Sequence, residues 1–170
     1  MTRSTLSMWL LATFTIACSQ NVAEEEIRHY PIDDMQEIIA ESGVRIDKEI
    51  SSDGNGSLHI AAESPTTIQL YETGDIDVEA ARLIYRARLR TESIEGQVYL
   101  EMWCRFPEKG EYFSRALQSP LTGTQDWTIQ ETPFFLRQGD NPDNVRLNLV
   151  VTGSGNVWID DIHLLKAPLP

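Results

Sequence analysis

Cysteine is scarce in this chain, which has 170 residues and only two cysteines, Cys18 and Cys104. Cys18 lies at the end of a predicted signal segment, as argued below, so Cys104 has no partner for an intramolecular disulfide. The fold must therefore be stabilised by its hydrophobic core. The roughly 150 residues after the segment suffice for one domain with a sizeable core and are too few for two.

Positive charge is also scarce, with 14 Lys and Arg against 26 Asp and Glu and a net charge of −12. Loss of Arg3 with the signal segment leaves 13 basic residues against 26 acidic ones, a net charge of −13. A nucleic-acid site needs a basic patch that displaces counterions from phosphates, and an anionic membrane surface repels an acidic protein. The composition predicts no nucleic-acid partner, and contact with a membrane only through an anchor.

Recognisable catalytic patterns are missing as well. The three histidines His29, His59 and His163 show no metal-ligand spacing, and no serine or cysteine lies in a nucleophile motif. Glu101 could be paired with another glutamate, but an acidic chain offers many such pairs and the sequence does not set their separation. The sequence therefore predicts a protein that is not an enzyme.

No apolar run is long enough to span a bilayer, because the longest one extends only from Leu6 to Ile16. Preceded by Arg3, it has the layout of a secretory signal, and Ala17 before Cys18 resembles the lipobox of bacterial lipoproteins. This resemblance implies a signal peptide over residues 1–17, a lipid on Cys18 and export to a membrane-anchored position facing the periplasm or the cell surface. Ordinary cleavage nearby, for example after Ala23, is the alternative.

The region after the predicted signal peptide begins with a polar, acidic stretch and continues into a domain. Residues 18–29 are acidic and predict a solvated tether, with a single domain over residues 30–170. Asp33 and Gln36 have capping-box spacing, which favours one short helix that ends at Ser42 and Gly43. A first strand that begins near Met35 is the alternative.

Beyond Gly43 the pattern is that of strands and turns. Eight short strands with mostly long connections predict an all-β fold, a two-sheet jelly-roll β-sandwich. The predicted strands are Val44 to Ile46, Ser57 to Ala61, Thr67 to Tyr71, Leu83 to Arg90, Gln97 to Phe106, Trp127 to Phe135, Val145 to Thr152 and Val157 to Leu165.

Three of these strands alternate clearly between an apolar and a polar face. If they lie in one sheet, its outer face collects arginines, a carboxylate, an amide and aromatic rings. Rings stack on sugar faces, and the polar groups hydrogen-bond hydroxyls, so this face predicts a carbohydrate site. An exposed ladder of salt bridges is the alternative. The predicted ligand-binding residues are Arg86, Arg88, Tyr99, Glu101, Trp103, Arg146 and Asn148.

Four strings occur in a recognisable order: Gly54 to Leu58, Tyr85 to Arg90, Gln125 to Trp127 and Gly155 to Ile162. Together they resemble the galactose-binding-like carbohydrate-binding modules, especially families four, nine and twenty-two. The resemblance implies a jelly roll whose concave sheet binds glycans, with a structural calcium in many members and Asp160 as the matching ligand. The Asn-Gly-x-Phe-Glu-like opening strand of those modules is missing here, so Asp160 could instead accept backbone N–H bonds, and no cofactor is required.

Together these observations predict a non-catalytic binding protein anchored to the cell envelope, with a polysaccharide or glycan as its partner. The alternative is a structural or protein-interaction β-sandwich that binds an envelope protein and has no glycan ligand.

Overall fold

Runs of aliphatic, β-branched and aromatic residues form strands throughout residues 23–170, the part of the chain that the computed structural model describes. Within these residues there is no helix that could span a membrane. Cys18 and the predicted signal segment lie outside the described residues. The nine strands are β1 (Glu25–Tyr30), β2 (Val44–Asp47), β3 (Ser57–Ala62), β4 (Thr66–Gly74), β5 (Ala81–Phe106), β6 (Gly110–Arg115), β7 (Leu121–Phe135), β8 (Asn144–Val151) and β9 (Ser154–Pro168).

The longest strand, β5, changes partners halfway along its length. Its first half (81–92) pairs with β7 and β9, whereas its second half (97–106) pairs with β6 and β8. The two halves meet at a bend in which Ser93 and Gly96 have positive φ angles of 55° and 115°. On the β9 side follow β1, β3 and β2, and on the β8 side follows β4. The curled sheet therefore forms two layers, which confirms the predicted all-β jelly-roll sandwich.

The core lies between the layers, and the predicted alternation of side chains is confirmed. The inward sets of both halves of β5 and of β8 are at most 6% exposed. These residues are Leu83, Tyr85, Ala87, Leu89, Val98, Leu100, Met102, Cys104, Phe106, Val145, Leu147, Leu149 and Val151. Burial raises the pKa of the Cys104 thiol to about 12, so it is neutral at ordinary pH and packs as a small apolar side chain.

The short helix predicted between Asp33 and Gly43 does not form, nor does a strand near Met35. The backbone N–H of Gln36 donates to the Asp34 carboxylate at 2.7 Å, which makes a local turn instead of a helix cap. Glu37 then has a φ of 66°, which interrupts a right-handed helix. Ile39 donates its backbone N–H to the carbonyl of Leu70 on β4, so this N–H group has a long-range partner instead of a helical one.

The acidic tether was also predicted wrongly over residues 25–29, which belong to β1 and pair antiparallel with β9. The acidic side chains here are neutralised by cations on the sheet. Glu24, just before β1, contacts Arg86 at 2.7 Å, and Glu25 contacts Lys166 at 3.1 Å. A run of glutamates that looks solvated in the sequence is thus an edge strand whose charges have partners.

Candidate functional site

The structure divides the seven predicted ligand-binding residues between the two sheets. Arg86 and Arg88 lie on the first half of β5, and the other five lie on its second half and on β8. Apart from Tyr99, which packs in the hydrophobic core, each group points away from that core, so the two groups occupy different outer surfaces. The single face that the sequence predicted is not formed, because β5 bends into the other layer at Ser93–Gly96.

Arg86 and Arg88 are both held by carboxylates. Arg86 donates to Glu24 at 2.7 Å and to Glu131 at 2.6 Å, and its pKa is raised, first by the hydrogen bond to Glu24. Arg88 donates to Asp161 at 3.2 Å. These pairs fit the salt-bridge ladder that was the alternative for an exposed sheet.

The remaining residues come together through the register of β5 with its neighbours. Glu101 lies opposite Asn148 on β8, and Trp103 lies opposite Arg146. On the other side, β6 places Arg115 opposite Glu101 and Phe113 opposite Trp103. We call this surface the Trp103 face; it consists of Glu101, Trp103, Glu111, Phe113, Arg115, Arg146 and Asn148.

Glu101 is the buried centre of this face, with 4% of its surface exposed. One carboxylate oxygen accepts from the Trp103 indole N–H at 2.7 Å and from Asn148 at 3.0 Å; the other accepts from Arg115 at 2.6 Å. Burial acts to raise the pKa of Glu101, but these three donors outweigh it and hold the pKa below its ordinary value. The carboxylate is therefore charged near neutral pH and fixes three side chains around it.

Two aromatic rings cover the outer end of the face. The centroids of Trp103 and Phe113 are 5.0 Å apart, and the rings are tilted by 49°. Phe113 is 50% exposed, and Trp103 is partly exposed. The guanidinium of Arg115 lies 4.3 Å from the Phe113 ring centroid and that of Arg146 lies 5.7 Å from the Trp103 centroid, so cations stack on both rings.

Two of the predicted ligand-binding residues are buried, and of these only Asn148 contacts the Trp103 face. Tyr99 is 8% exposed and Asn148 is 7% exposed. The Asn148 amide nitrogen donates to Glu101, whereas its buried carbonyl oxygen accepts no hydrogen bond from the described residues. Asn148 thus holds Glu101 from a buried position, and its own oxygen is not exposed on the face.

Sequence reasoning did not find the contribution of β6. None of the eight predicted strands includes Gly110–Arg115, which forms β6. The signal that could have revealed it is the alternation of Glu111, Phe113 and Arg115, which places all three side chains on one face.

Asp160 lies on β9, buried beneath the loop before β3 and 0% exposed. Its two oxygens accept the backbone N–H groups of Ser52 and Asp161, each at 2.8 Å. Burial raises the pKa of Asp160, which those donors oppose. These contacts match the alternative that the sequence left open, in which Asp160 accepts backbone N–H bonds.

No protein-family model and no curated protein matches the chain. Solved structures do match. A xylan-binding family 22 module of Paenibacillus barcinonensis is 12% identical, with a TM-score of 0.63 over 88% of this chain and 99% of that one. A family 22 module of Clostridium thermocellum, solved with a GH10 module and xylohexaose, is 9% identical, with a TM-score of 0.62 over 86% of this chain and 29% of that one.

A family 16 carbohydrate-binding module is 12% identical, with a TM-score of 0.51 over 72% of this chain and 84% of that one. At these identities the similarity concerns the fold. The chain therefore has the β-sandwich that these carbohydrate-binding modules share.

Proposed function

We propose that this protein binds a carbohydrate polymer through the Trp103 face and carries out no catalysis. The observation that carries the proposal is the buried carboxylate of Glu101, which holds Trp103, Arg115 and Asn148 in fixed positions. A ring beside oriented donors and acceptors is the combination that stacks on a pyranose and hydrogen-bonds its hydroxyls.

The arrangement suits binding better than bond cleavage. Glu101 is charged and already accepts three hydrogen bonds, so it lacks the proton that a general acid would supply. Glu111, on the same face, is engaged by Arg146 at 2.8 Å. The structural neighbours that are described as xylan-binding support a β-linked polysaccharide as the ligand class.

The first test is affinity electrophoresis of the purified full chain through gels that contain soluble xylan, other plant and bacterial polysaccharides, or none. We expect retardation by at least one polymer, and we expect Trp103→Ala to weaken binding about tenfold or more, since a lost stacking contact costs about 1.4 kcal/mol. Calorimetry with xylohexaose measures the same loss in solution.

Phe135→Ala is the matched control, because Phe135 is an exposed aromatic residue (53%) on β7, outside the Trp103 face. It should bind as the unmodified protein does. A folded protein that ignores every polymer, or equal affinity of both variants, would contradict the proposal and favour the protein-interaction alternative.

We further propose that the domain is exported and held at a membrane by a lipid on Cys18. In its native host, Cys18→Ser should move the protein from the membrane pellet to the soluble fraction, whereas Ser19→Ala should leave it in the pellet. Retention of Cys18→Ser in the pellet would contradict the lipid anchor.

A further inference from the structure

A cluster of two histidines and two carboxylates lies on the sheet opposite to the Trp103 face. His29 on β1 pairs with His163 on β9, and their rings stack with centroids 4.2 Å apart and an interplanar angle of 4°. Asp161 and Glu26 complete what we call the His163 cluster. It is separate from the proposed glycan site.

Asp161 binds both rings from one side. One of its oxygens lies 2.9 Å from Nε2 of His29 and 3.0 Å from Nε2 of His163. Its other oxygen accepts from Arg88 at 3.2 Å. Both Nε2 atoms thus face one carboxylate oxygen, which is an acceptor, and this places the N–H of each ring on the Asp161 side.

The other side of the histidine pair then faces negative charge. With Nε2 of each ring protonated toward Asp161, the Nδ1 atoms carry lone pairs when the rings are neutral. An oxygen of Glu26 lies 2.8 Å from Nδ1 of His163. The Nδ1 lone pair of His163 and the Glu26 carboxylate are thus two metal-ligand atoms that lie side by side.

The local backbone is shaped to present these groups. Between the pairs Arg86–His163 and Arg88–Asp160, β9 has one residue more than β5, which is a β-bulge. Asp161 in this bulge has a φ of 51°, which a residue other than glycine rarely adopts. The bulge reverses the alternation of β9, so that Asp160 points inward while Asp161 reaches the histidines.

The His163 cluster is accessible to an ion. A cavity of about 360 Å³ opens beside it, lined by Glu26, Asp161 and His163 and by two arginines, Arg86 and Arg88, that are paired with carboxylates. The side chains of His29 and Glu26 are 39% and 51% exposed, so both can rotate. One ligand atom from each of Glu26, His29 and His163 already lies within 4.8 Å of the others, and rotation can bring them to the spacing of about 3.3 Å that a tetrahedral ion needs.

We propose that Glu26, His29 and His163 bind a divalent transition-metal ion such as Zn²⁺, with Asp161 as the positioning residue for the less exposed ring, that of His163. Two imidazole nitrogens and one carboxylate select zinc, copper or nickel over the hard cations calcium and magnesium. A carboxylate that accepts the distal N–H of each ligating histidine is the usual outer support of such a site. The remaining coordination position is left to water or an external ligand.

The test uses the full chain purified without a histidine tag and stripped by a chelator, with Zn²⁺ alone as the titrant in calorimetry. We expect binding of one ion per chain, a higher midpoint of thermal unfolding with zinc, and no effect of Ca²⁺ or Mg²⁺. Affinity should fall as the pH decreases, since protons compete for the histidines.

His163→Ala and the more exposed His29→Gln should each weaken zinc binding at least tenfold, and Asp161→Asn should weaken it through the loss of ring orientation. His59→Gln is the matched control because it removes a histidine on β3 outside the cluster. Equal zinc affinity of all four folded variants, or no binding by the unmodified chain, would overturn the proposal. Glycan binding should be unchanged by His163→Ala, which separates this test from that of the Trp103 face.

Discussion

Replacing Gly153 with alanine is expected to lower the free energy of unfolding by about 4 kcal/mol or more, the scale of the most severe single substitutions. A Cβ atom at this position would overlap the carbonyl oxygen of Glu95 and lie 2.7 Å from its carbonyl carbon. Both obstacles are backbone atoms, so no side-chain rotation relieves the overlap. Equilibrium unfolding in urea, followed by tryptophan fluorescence, measures the change.

The effect should extend to the ligand face, because Gly153 lies where the turn between β8 and β9 packs on the bend of β5. Beside it, the Thr152 backbone N–H donates to the Gln97 carbonyl oxygen, and the Gln97 backbone N–H donates to the Thr152 hydroxyl oxygen, each at 2.9 Å. Separation of these two turns would displace the start of the second half of β5, which carries Glu101 and Trp103. A folded fraction of Gly153→Ala should therefore also bind glycan more weakly.

Gly139→Ala is the control for this prediction. Gly139 has a φ of 80°, and an added Cβ would meet no atom within 4 Å. It should therefore lose only the conformational cost of a left-handed alanine, about 1 kcal/mol. Equal losses for the two variants would show that the close approach of Gly153 to Glu95 is absent in solution.

The core could be predicted from the sequence because alternation is a local signal. Each strand identifies its own inward set, such as Leu100 and Met102, without knowledge of its neighbours. The assignment of strands to layers needs the pairing partners. Because of the bend at Ser93–Gly96, Arg86 and Trp103 lie on different surfaces. The residues of the bend do not indicate which strands pair with each half of β5.

Long-range contacts also explain why the structure near the amino terminus differs from the predicted tether and helix. Residues 24–26 are glutamates with low strand propensity, but on the sheet Arg86 and Lys166 neutralise Glu24 and Glu25, and His163 contacts Glu26. The capping-box spacing at Asp33 was overridden because the backbone of Ile39 bonds to Leu70 on β4. In each case the contact that decides the local structure lies more than 25 residues away, beyond the reach of a local pattern.

Removing the carboxylate at the centre of the Trp103 face is the second change with a large expected effect. Glu101→Ala should lower the free energy of unfolding by about 3 kcal/mol, since it leaves a guanidinium, an indole N–H and an amide without their acceptor in a buried position. Glu101→Gln keeps one acceptor oxygen and should lose roughly half as much. Glu111→Gln, on the same face but exposed, should change stability by less than about 0.5 kcal/mol.

The contribution of the Glu101 carboxylate to the free energy of unfolding should decrease as the pH falls. The pKa of Glu101 is lowered in the folded state from its ordinary value of 4.5, so its stabilising effect is present above that value and is lost as the pH falls through the lower folded pKa. The stability difference between the unmodified protein and Glu101→Gln should thus shrink when urea unfolding is measured at pH 3 instead of pH 7. A difference that is constant or that grows toward acid would contradict the ion-paired carboxylate.

Glu101→Gln also tests whether the carboxylate acts on the ligand through the ring that it holds. Its hydrogen bond to the indole N–H fixes the plane of Trp103, and a charged acceptor makes that bond stronger than an amide would. Glycan affinity should therefore fall several-fold in folded Glu101→Gln and remain unchanged in Glu25→Gln, which removes a carboxylate on β1 outside the Trp103 face. If Glu101→Gln loses stability but keeps its full affinity, Glu101 supports the sheet alone, and ring orientation does not limit binding.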